Sequence, residues 1–333
     1  MSKRYNWAIL GCGNIAGKFA ADLALLPDAR LYAAASRSIE KATSFASDHG
    51  FEKAYGSYEA MVRDPAVDVV YIATPHSQHR EHALLCLGHR KAVLCEKAFA
   101  INSREVGEML EAARANDTFL MEAFWTRFHP SFMQALEIIR SGELGALKML
   151  RSDFAFKGEY RPEKRLFNVH LGGGSLLDIG IYPIFMSLMA FGKPSEIQTM
   201  ASFCPTGAEE TIVMSFRYPG GQMASLASSI TSFSPTQAEF WFENGYMRLN
   251  RQFHTPTSIT LAHKNEAERT ITFGKGSGSG YELEAAHVMA CLDAGKKESD
   301  LMPLSLSTDL MEILDRVRDD AGILFPGHDD EQK

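Results

Sequence analysis

Trp7-Ala8-Ile9-Leu10-Gly11-Cys12-Gly13-Asn14-Ile15-Ala16 is an apolar run that breaks into glycines near the start of a 333-residue chain. Apolar residues then recur at helical spacing, at Ile15, Phe19, Leu23 and Leu26, so the stretch reads as strand, tight turn and helix. In that setting Gly11 makes the turn, Gly13 lets the main chain approach a pyrophosphate, and Ala16 permits close helix–strand packing. The phosphates then sit on the helix N-terminus, at Asn14 and Ile15. Glycine-rich turns also join strands and helices that bind nothing. The strand before the turn and the helix after it select the dinucleotide reading.

From that turn outward the pattern continues to about residue 123. Short apolar strands at Asn6–Leu10, Leu31–Ser36, near Ala54, Val69–Thr74, Ala92–Glu96 and Phe119–Glu122 alternate with helical patterns. This predicts a doubly wound parallel sheet, a Rossmann domain over residues 1–123. Asn102, followed by Glu105, marks a helix start. After Phe124 the texture changes to strand after strand: 147–156, 197–203, 210–218, 222–230, 238–243, 246–249, 258–261 and 270–273. Gly220-Gly221 and Asn244-Gly245 supply hairpin turns. Residues 124–330 therefore read as an α+β domain with an open, mostly antiparallel sheet, and the whole chain as α/β followed by α+β. A helix over about 175–190 interrupts the strands. Gly274–Gly280 reads as a flexible glycine-serine loop, followed by two closing helices, and the charged tail from Gly327 to Lys333 as disordered.

Composition narrows the function classes. Hydrophobic residues make up 45% of the chain and the net charge is −7, with lysine and arginine dispersed, which gives no electrostatic reason to expect nucleic acid. No basic, apolar leader is evident and no stretch reads as a membrane span, so a cytoplasmic protein is expected. Five scattered cysteines without a CxxC pair read as reduced core thiols, and no metal site is expected.

In open parallel sheets ligands bind beyond the carboxyl ends of the strands. The second strand ends in Ser36-Arg37-Ser38, where an acidic residue would mark NAD. Arg37 has a donor fork suited to a 2′-phosphate and Ser36 adds a hydroxyl, so the reading is NADP(H), with NAD as the other possibility. The alternative is a solvated Arg37 with Glu40 turned to the ribose. The fourth strand leads into Thr74-Pro75-His76-Ser77-Gln78-His79, and the fifth ends in Glu96-Lys97. Thr74, His79, Glu96 and Lys97 are therefore candidate cofactor contacts, whereas His82 reads as helix surface and Lys97 alternatively as a surface lysine paired with Glu96. Spacing of three among His76, His79 and His82 invites a metal, but no acidic or cysteine partner stands nearby. Trp125 is a candidate to stack near the nicotinamide, with packing between domains as the alternative, and Arg127 to hold cofactor or substrate oxygens.

Asp178 and Tyr182 lie four apart, so a helix puts both side chains on one face. Asp178 can accept from a sugar hydroxyl. Tyr182 can pass a proton once a neighbouring lysine charge lowers a phenol's ordinary value of about 10. Gly172-Gly173-Gly174 would let that helix start approach a cofactor. Standing alone, the pair would equally serve as an ordinary hydrogen-bonding residue and a buried aromatic.

Taken together, GCGNIA, ATPHSQH, CEK, MEAFWTRFHP and GGGSLLDIGIYPI resemble the glucose-fructose oxidoreductase and inositol dehydrogenase (Gfo/Idh/MocA) family over essentially the whole chain. MEAFWTRFHP and the tyrosine at 182 are most similar to its dimeric dihydrodiol dehydrogenase and NADP-dependent D-xylose dehydrogenase branch. The resemblance implies a Rossmann domain, a second domain whose sheet forms a homodimer or homotetramer interface, and hydride transfer between NADP(H) and a sugar or cyclic diol. It also implies that Lys97 assists catalysis, Tyr182 is the acid/base and Asp178 lies near the substrate. Phe154, Arg165, Asn168 and His170 are candidates for choosing the substrate. Where the family has proline after the lysine this chain has Ala98, which restores a backbone N–H. A cofactor-binding sensor of the same fold and a redox-assisted glycoside-cleaving enzyme are the rival readings, and retention of both Lys97 and Tyr182 argues against the sensor.

Overall fold

The computed structural model describes residues 3–274 and 276–329. The described chain forms two compact units, one running to Phe128 and including Gly276–Thr308, the other made by the rest. The division expected after residue 123 thus falls a few residues later, and the chain returns to the first unit near its end. Buried Asp22 explains the return: its carboxylate accepts the backbone N–H of Ser279 at 2.8 Å and of Tyr281 at 3.0 Å. Those bonds tie down the end of the loop expected to be flexible.

The first unit contains β1 (Tyr5–Leu10), α1 (Asn14–Leu23), β2 (Ala29–Ala35), α2 (Ile39–His49), β3 (Lys53–Tyr55), α3 (Tyr58–Val62), β4 (Val69–Ile72), α4 (His79–Gly88), β5 (Ala92–Glu96), α5 (Ser103–Ala115) and β6 (Leu120–Ala123). Its strands are all parallel, in the order β3-β2-β1-β4-β5-β6. The order reverses between β1 and β4, the switch point at which such sheets open a crevice for ligand. Trp7, Ala8, Ile9 and Leu10 are all fully buried, because a parallel strand covered on both faces reads as a continuous apolar run. Side chains of Ser38, Ser57 and Asn102 cap α2, α3 and α5. At α5 the bond is reciprocated: Glu105 reaches back to the Ile101 N–H at 3.1 Å.

The second unit begins with α6 (Pro130–Ser141) and β7 (Leu147–Ala155). A π-helical turn over Leu176–Gly180 then runs into α7 (Ile181–Phe191). The strands β8 (Glu196–Phe203), β9 (Glu209–Arg217), β10 (Met223–Ser229), β11 (Ala238–Phe242), β12 (Gly245–Leu249), β13 (Ser258–His263) and β14 (Arg269–Thr272) complete one sheet, ordered β14-β13-β12-β11-β7-β10-β9-β8. All pairs are antiparallel except β7 with β10. Alternation is clean on β9, where Ile212, Met214 and Phe216 are buried and Val213 faces out. By length and composition Val169–Phe191 would qualify as a membrane span, contrary to expectation. It is the core helix under this sheet, and 78% of its apolar window is buried there. The last helices are α8 (Tyr281–Asp293) and α9 (Leu304–Ala321). Residues 330–333 of the tail expected to be disordered lie outside the described residues.

Candidate active site

Gly11 has φ +102°, and a Cβ there would meet Thr74 Cγ2 at 2.9 Å and the Ala73 carbonyl oxygen at 3.0 Å, so only glycine serves where β1 and β4 part. At Gly13, by contrast, a Cβ would have no neighbour within 4 Å. This glycine borders open space at the start of α1, and α1 has neither a side-chain cap nor an acid in its first turn. Its first N–H groups, those of Asn14, Ile15 and Ala16, are the donors that a helix start leaves without intrahelical partners. Helices α2, α3 and α5 all carry a capping side chain and an acid there. The uncapped α1 beside an open glycine fits a dinucleotide pyrophosphate, which would supply the missing acceptors and favourable negative charge.

At the end of β2, Ser36 is buried and Arg37 is exposed. Ser38 accepts the Lys41 N–H at 3.2 Å and donates to the Glu40 carboxylate at 2.7 Å. Glu40 is thus engaged at the helix start, which weakens its claim on a ribose. The charge of Lys41 acts on the Cys12 thiol, which burial pushes up to about 11 and this ammonium lowers. Lys41 therefore stands near the glycine turn as a second cation, and sequence reasoning missed it because α2 had no apparent link to β1.

Thr74 lies at the end of β4, and its hydroxyl pairs with His82 Nδ1 at 2.9 Å. His82 is buried rather than on the helix surface, edge-on to Tyr58, and burial together with the Arg37 charge lowers it to about 4. His79 is fully buried, with Nδ1 2.8 Å from the Ala98 carbonyl oxygen and Nε2 2.8 Å from that of Thr74. It braces the segments after β4 and β5 instead of presenting a donor to the cofactor. Glu96 also turns inward: its carboxylate accepts from the Tyr71 hydroxyl and from the Lys97 backbone N–H at 3.2 Å. That contact sets the main chain of the partly buried Lys97, whose peptide with Ala98 is cis. Glu122, almost wholly buried nearby, is raised to about 7 by burial, while the Lys97 charge lowers it.

Trp125 stacks on Tyr281 at 4.3 Å and 10°, a contact within the first unit. Arg127 is buried in the same unit, where its charge acts on His287. Packing within the first unit is thus one role of both side chains, and the Trp125 stack is not the packing between domains that was the alternative for it.

In the second unit Asp178 sits on the π-helical turn, a distortion often found at functional sites. Its carboxylate is 2.8 Å from Arg165 Nη2, and the aspartate is the more buried partner. The sequence offered both residues separately but gave no sign of the pair. Gly173 approaches the backbone of Arg165 and Asn168 so closely that a Cβ would lie 2.4 Å from the Arg165 carbonyl oxygen. Gly174, at φ +129°, has no room for a Cβ beside the Glu209 carboxylate. These glycines seat the turn tightly against its own unit. Glu209, fully buried, accepts the Leu176 N–H, and burial raises it to about 8. Tyr182, on α7, is 6% exposed and packs near Phe154 at 5.4 Å and His254 at 5.5 Å. Phe154 and His254 stack on each other at 4.5 Å. His254 is a further acid/base candidate that arrives from a loop without regular periodicity. Asn168 uses its side-chain oxygen locally, on the His170 N–H at 3.0 Å.

Two family models match the chain: the oxidoreductase family with an NAD-binding Rossmann fold over residues 5–124, and the GFO/IDH/MocA C-terminal domain over 132–248. The chain belongs to the Gfo/Idh/MocA family. Mouse trans-1,2-dihydrobenzene-1,2-diol dehydrogenase is 38% identical over 328 residues, covering 96% of this chain and 98% of the mouse protein. The human protein of that name is 38% identical over 330 residues with the same coverage. Among solved structures, levoglucosan dehydrogenase with NADH and levoglucosan matches at TM-score 0.86 and 20% identity, covering 96% of this chain and 97% of that one. A 3-ketoreductase from Actinomadura kijaniata, with NADP and TDP-benzene, matches at 0.88 and 21%, covering 96% and 98%. At that identity the structures speak for the fold. This member of the family is an oxidoreductase with a nicotinamide-dinucleotide-binding Rossmann domain, which disposes of the sensor reading.

Proposed function

We propose that the protein is an NADP(H)-dependent dehydrogenase that interconverts a hydroxyl and a carbonyl on a cyclic trans-diol or a sugar. The observation that carries this is the near full-length likeness to dihydrodiol dehydrogenases together with Lys97 and Tyr182 at the matching motifs. NADP is preferred over NAD because Arg37 and Lys41 follow β2 and the nearby Glu40 carboxylate is engaged by the Ser38 hydroxyl.

NADP(H), held by its pyrophosphate at the Gly11–Gly13 turn and the start of α1 and by its 2′-phosphate at Arg37 and Lys41, would supply the hydride acceptor for oxidation and the hydride donor for reduction. Tyr182 takes the hydroxyl proton as the C–H bond breaks and the carbonyl forms, and gives it back in the reverse direction. Lys97 assists this proton transfer, the role that the likeness to the family gives it. Asp178 orients Arg165, whose partly exposed guanidinium offers donors to the hydroxyl oxygens of the substrate. The five buried, unpaired cysteines support a reducing, cytoplasmic setting. A homodimer or homotetramer formed through the sheet of the second unit completes the reading.

The test is reduced-nicotinamide absorbance on mixing the protein with NADP⁺ or NAD⁺ and a panel of cyclic trans-diols, inositols and aldoses. Turnover with NADP⁺ and one of these classes is expected, falling on the order of 10²- to 10⁴-fold in Tyr182→Phe with cofactor affinity preserved. Full turnover in that variant, or a wild-type preference for NAD⁺, would overturn the corresponding assignment. A glycoside-cleaving enzyme would instead release a sugar without net nicotinamide reduction.

A further inference from the structure

Away from the strand ends just described, α8 and the loop after it bring a histidine, a thiol and a carboxylate together. His287 and Cys291 stand one turn apart on α8, with Cys291 Sγ 3.3 Å from His287 Nε2. Asp300 Oδ1 is 3.8 Å from the same nitrogen, and the three atoms all lie within 4.8 Å of one another. No other such group of three occurs among the described residues. A tetrahedral ion with bonds of about 2.0 Å to nitrogen and about 2.3 Å to sulfur holds those two ligands roughly 3.5 Å apart, so the 3.3 Å between Cys291 Sγ and His287 Nε2 is already near that spacing, and Asp300 has to close by about an ångström at most.

The hydrogen bonds also aim the imidazole. Ser299 Oγ accepts the N–H groups of Leu301 at 3.0 Å and Met302 at 2.8 Å. Its one proton is therefore available for His287 Nε2 at 2.7 Å, which leaves the proton of a neutral ring on Nδ1 and an Nε2 lone pair that an ion takes over from the Ser299 hydroxyl. Phe128 packs on the ring at 5.0 Å and helps fix its plane. Cys291 is buried, whereas the Asp300 side chain is 64% exposed and gives an ion an entry side. The charged groups facing the cluster are Lys296, 3.2 Å from Asp300 Oδ2, and Arg127. Lys296 occupies one carboxylate oxygen and leaves Oδ1 toward the histidine.

We propose that His287 Nε2, the Cys291 thiolate and Asp300 Oδ1 form a binding site for a divalent ion of the zinc class, with Ser299 Oγ or water as the fourth ligand. Its role is structural. At the C-terminal end of α8, Asp293 accepts from the Tyr5 hydroxyl at 2.7 Å, and beyond it Lys297 accepts the Leu120 N–H at 3.1 Å. These bonds put that end at the amino ends of β1 and β6, opposite the glycine turn. Binding clamps the Ser299–Asp300 loop to α8 and releases the Cys291 proton to solvent.

The experiment titrates the chelator-stripped full-length protein with Co²⁺ alone, following thiolate-to-cobalt absorption, and then displaces it with Zn²⁺. One Co²⁺ per chain is expected, with the thiolate band lost in Cys291→Ser and affinity at least about tenfold weaker in Asp300→Asn. Zn²⁺ should raise the melting temperature of the wild type and have much less effect on Asp300→Asn, while kcat with NADP⁺ stays unchanged. Absence of the band, or a band that survives Cys291→Ser, overturns the site and leaves a hydrogen-bonded Ser299–His287–Cys291 clamp. Should Cys291→Ser fail to fold, the exposed Asp300→Asn still decides: unchanged affinity there refutes the ligand set.

Discussion

Glu209 is a carboxyl enclosed by its own unit, with the Leu176 N–H at one oxygen and Gly174 pressed against the other. Burial lets it keep its proton to about pH 8, whereas an ordinary glutamate releases it near 4.5. Between these values the folded state binds more protons than the unfolded chain. Stability therefore falls as pH rises, by up to about 1.4 kcal/mol per pH unit from this group. Glu209→Gln keeps an acceptor for Leu176 and has no charge to bury. The melting temperature of the variant minus that of the wild type should accordingly climb from about pH 5 to about pH 8 and level off above. A difference that ignores pH would mean that Glu209 is already ionised in the fold. Arg37 makes a second residue-scale prediction. If its guanidinium meets a 2′-phosphate, Arg37→Ala should raise the KM for NADP⁺ about tenfold or more, as for loss of a charge-assisted hydrogen bond, and leave that for NAD⁺ nearly unchanged. Equal losses for both cofactors would remove Arg37 from phosphate recognition.

The first helix carries the matching prediction for an element. Its start lacks both the side-chain cap and the first-turn acid that α2, α3 and α5 carry, and Gly13 has φ −103°, open to any L-residue, with space around its Cβ. Gly13→Asp should supply a capping acceptor and a favourable charge, so the melting temperature of the free protein should hold or rise slightly. The same carboxylate would occupy the place of a phosphate, and cofactor affinity should fall steeply by calorimetry. Retained affinity would move the pyrophosphate elsewhere. This helix was legible because its signals are local: a turn, a period and a glycine. The eight strands of the second sheet were legible for the same reason, through alternation and two hairpin turns. What escaped was tertiary. His79 and His82 read as a row on one helix, yet their environments come from Ala98, Thr74 and Tyr58, on segments the row does not reveal. Arg165 and Asp178 meet only because irregular backbone and three consecutive glycines fold the chain back on itself, and no periodicity encodes that.

At the scale of the whole molecule, what remains is the outer face of the second unit's sheet, opposite the face that α7 covers. On that face Trp241 and Met223 flank Met149 across three paired strands, and Met200 pairs with Val213 on the next two. Exposures of 37% for Trp241, 43% for Met223, 48% for Val213 and 74% for Met200 make this a band of side chains that water solvates poorly. Aromatic and methionine side chains are enriched at the buried centres of subunit interfaces, and a second copy presenting the same band would bury both. Light scattering on the eluting protein should therefore give a small multiple of the chain mass. Trp241→Glu combined with Met200→Asp should shift it to the single-chain mass, because charges buried face to face without partners oppose association. A rise in melting temperature on NADP⁺ addition should be seen in that variant as in the wild type. A wild type that elutes as a monomer, or a double variant that stays associated, would remove the sheet as the interface and send the search to another surface.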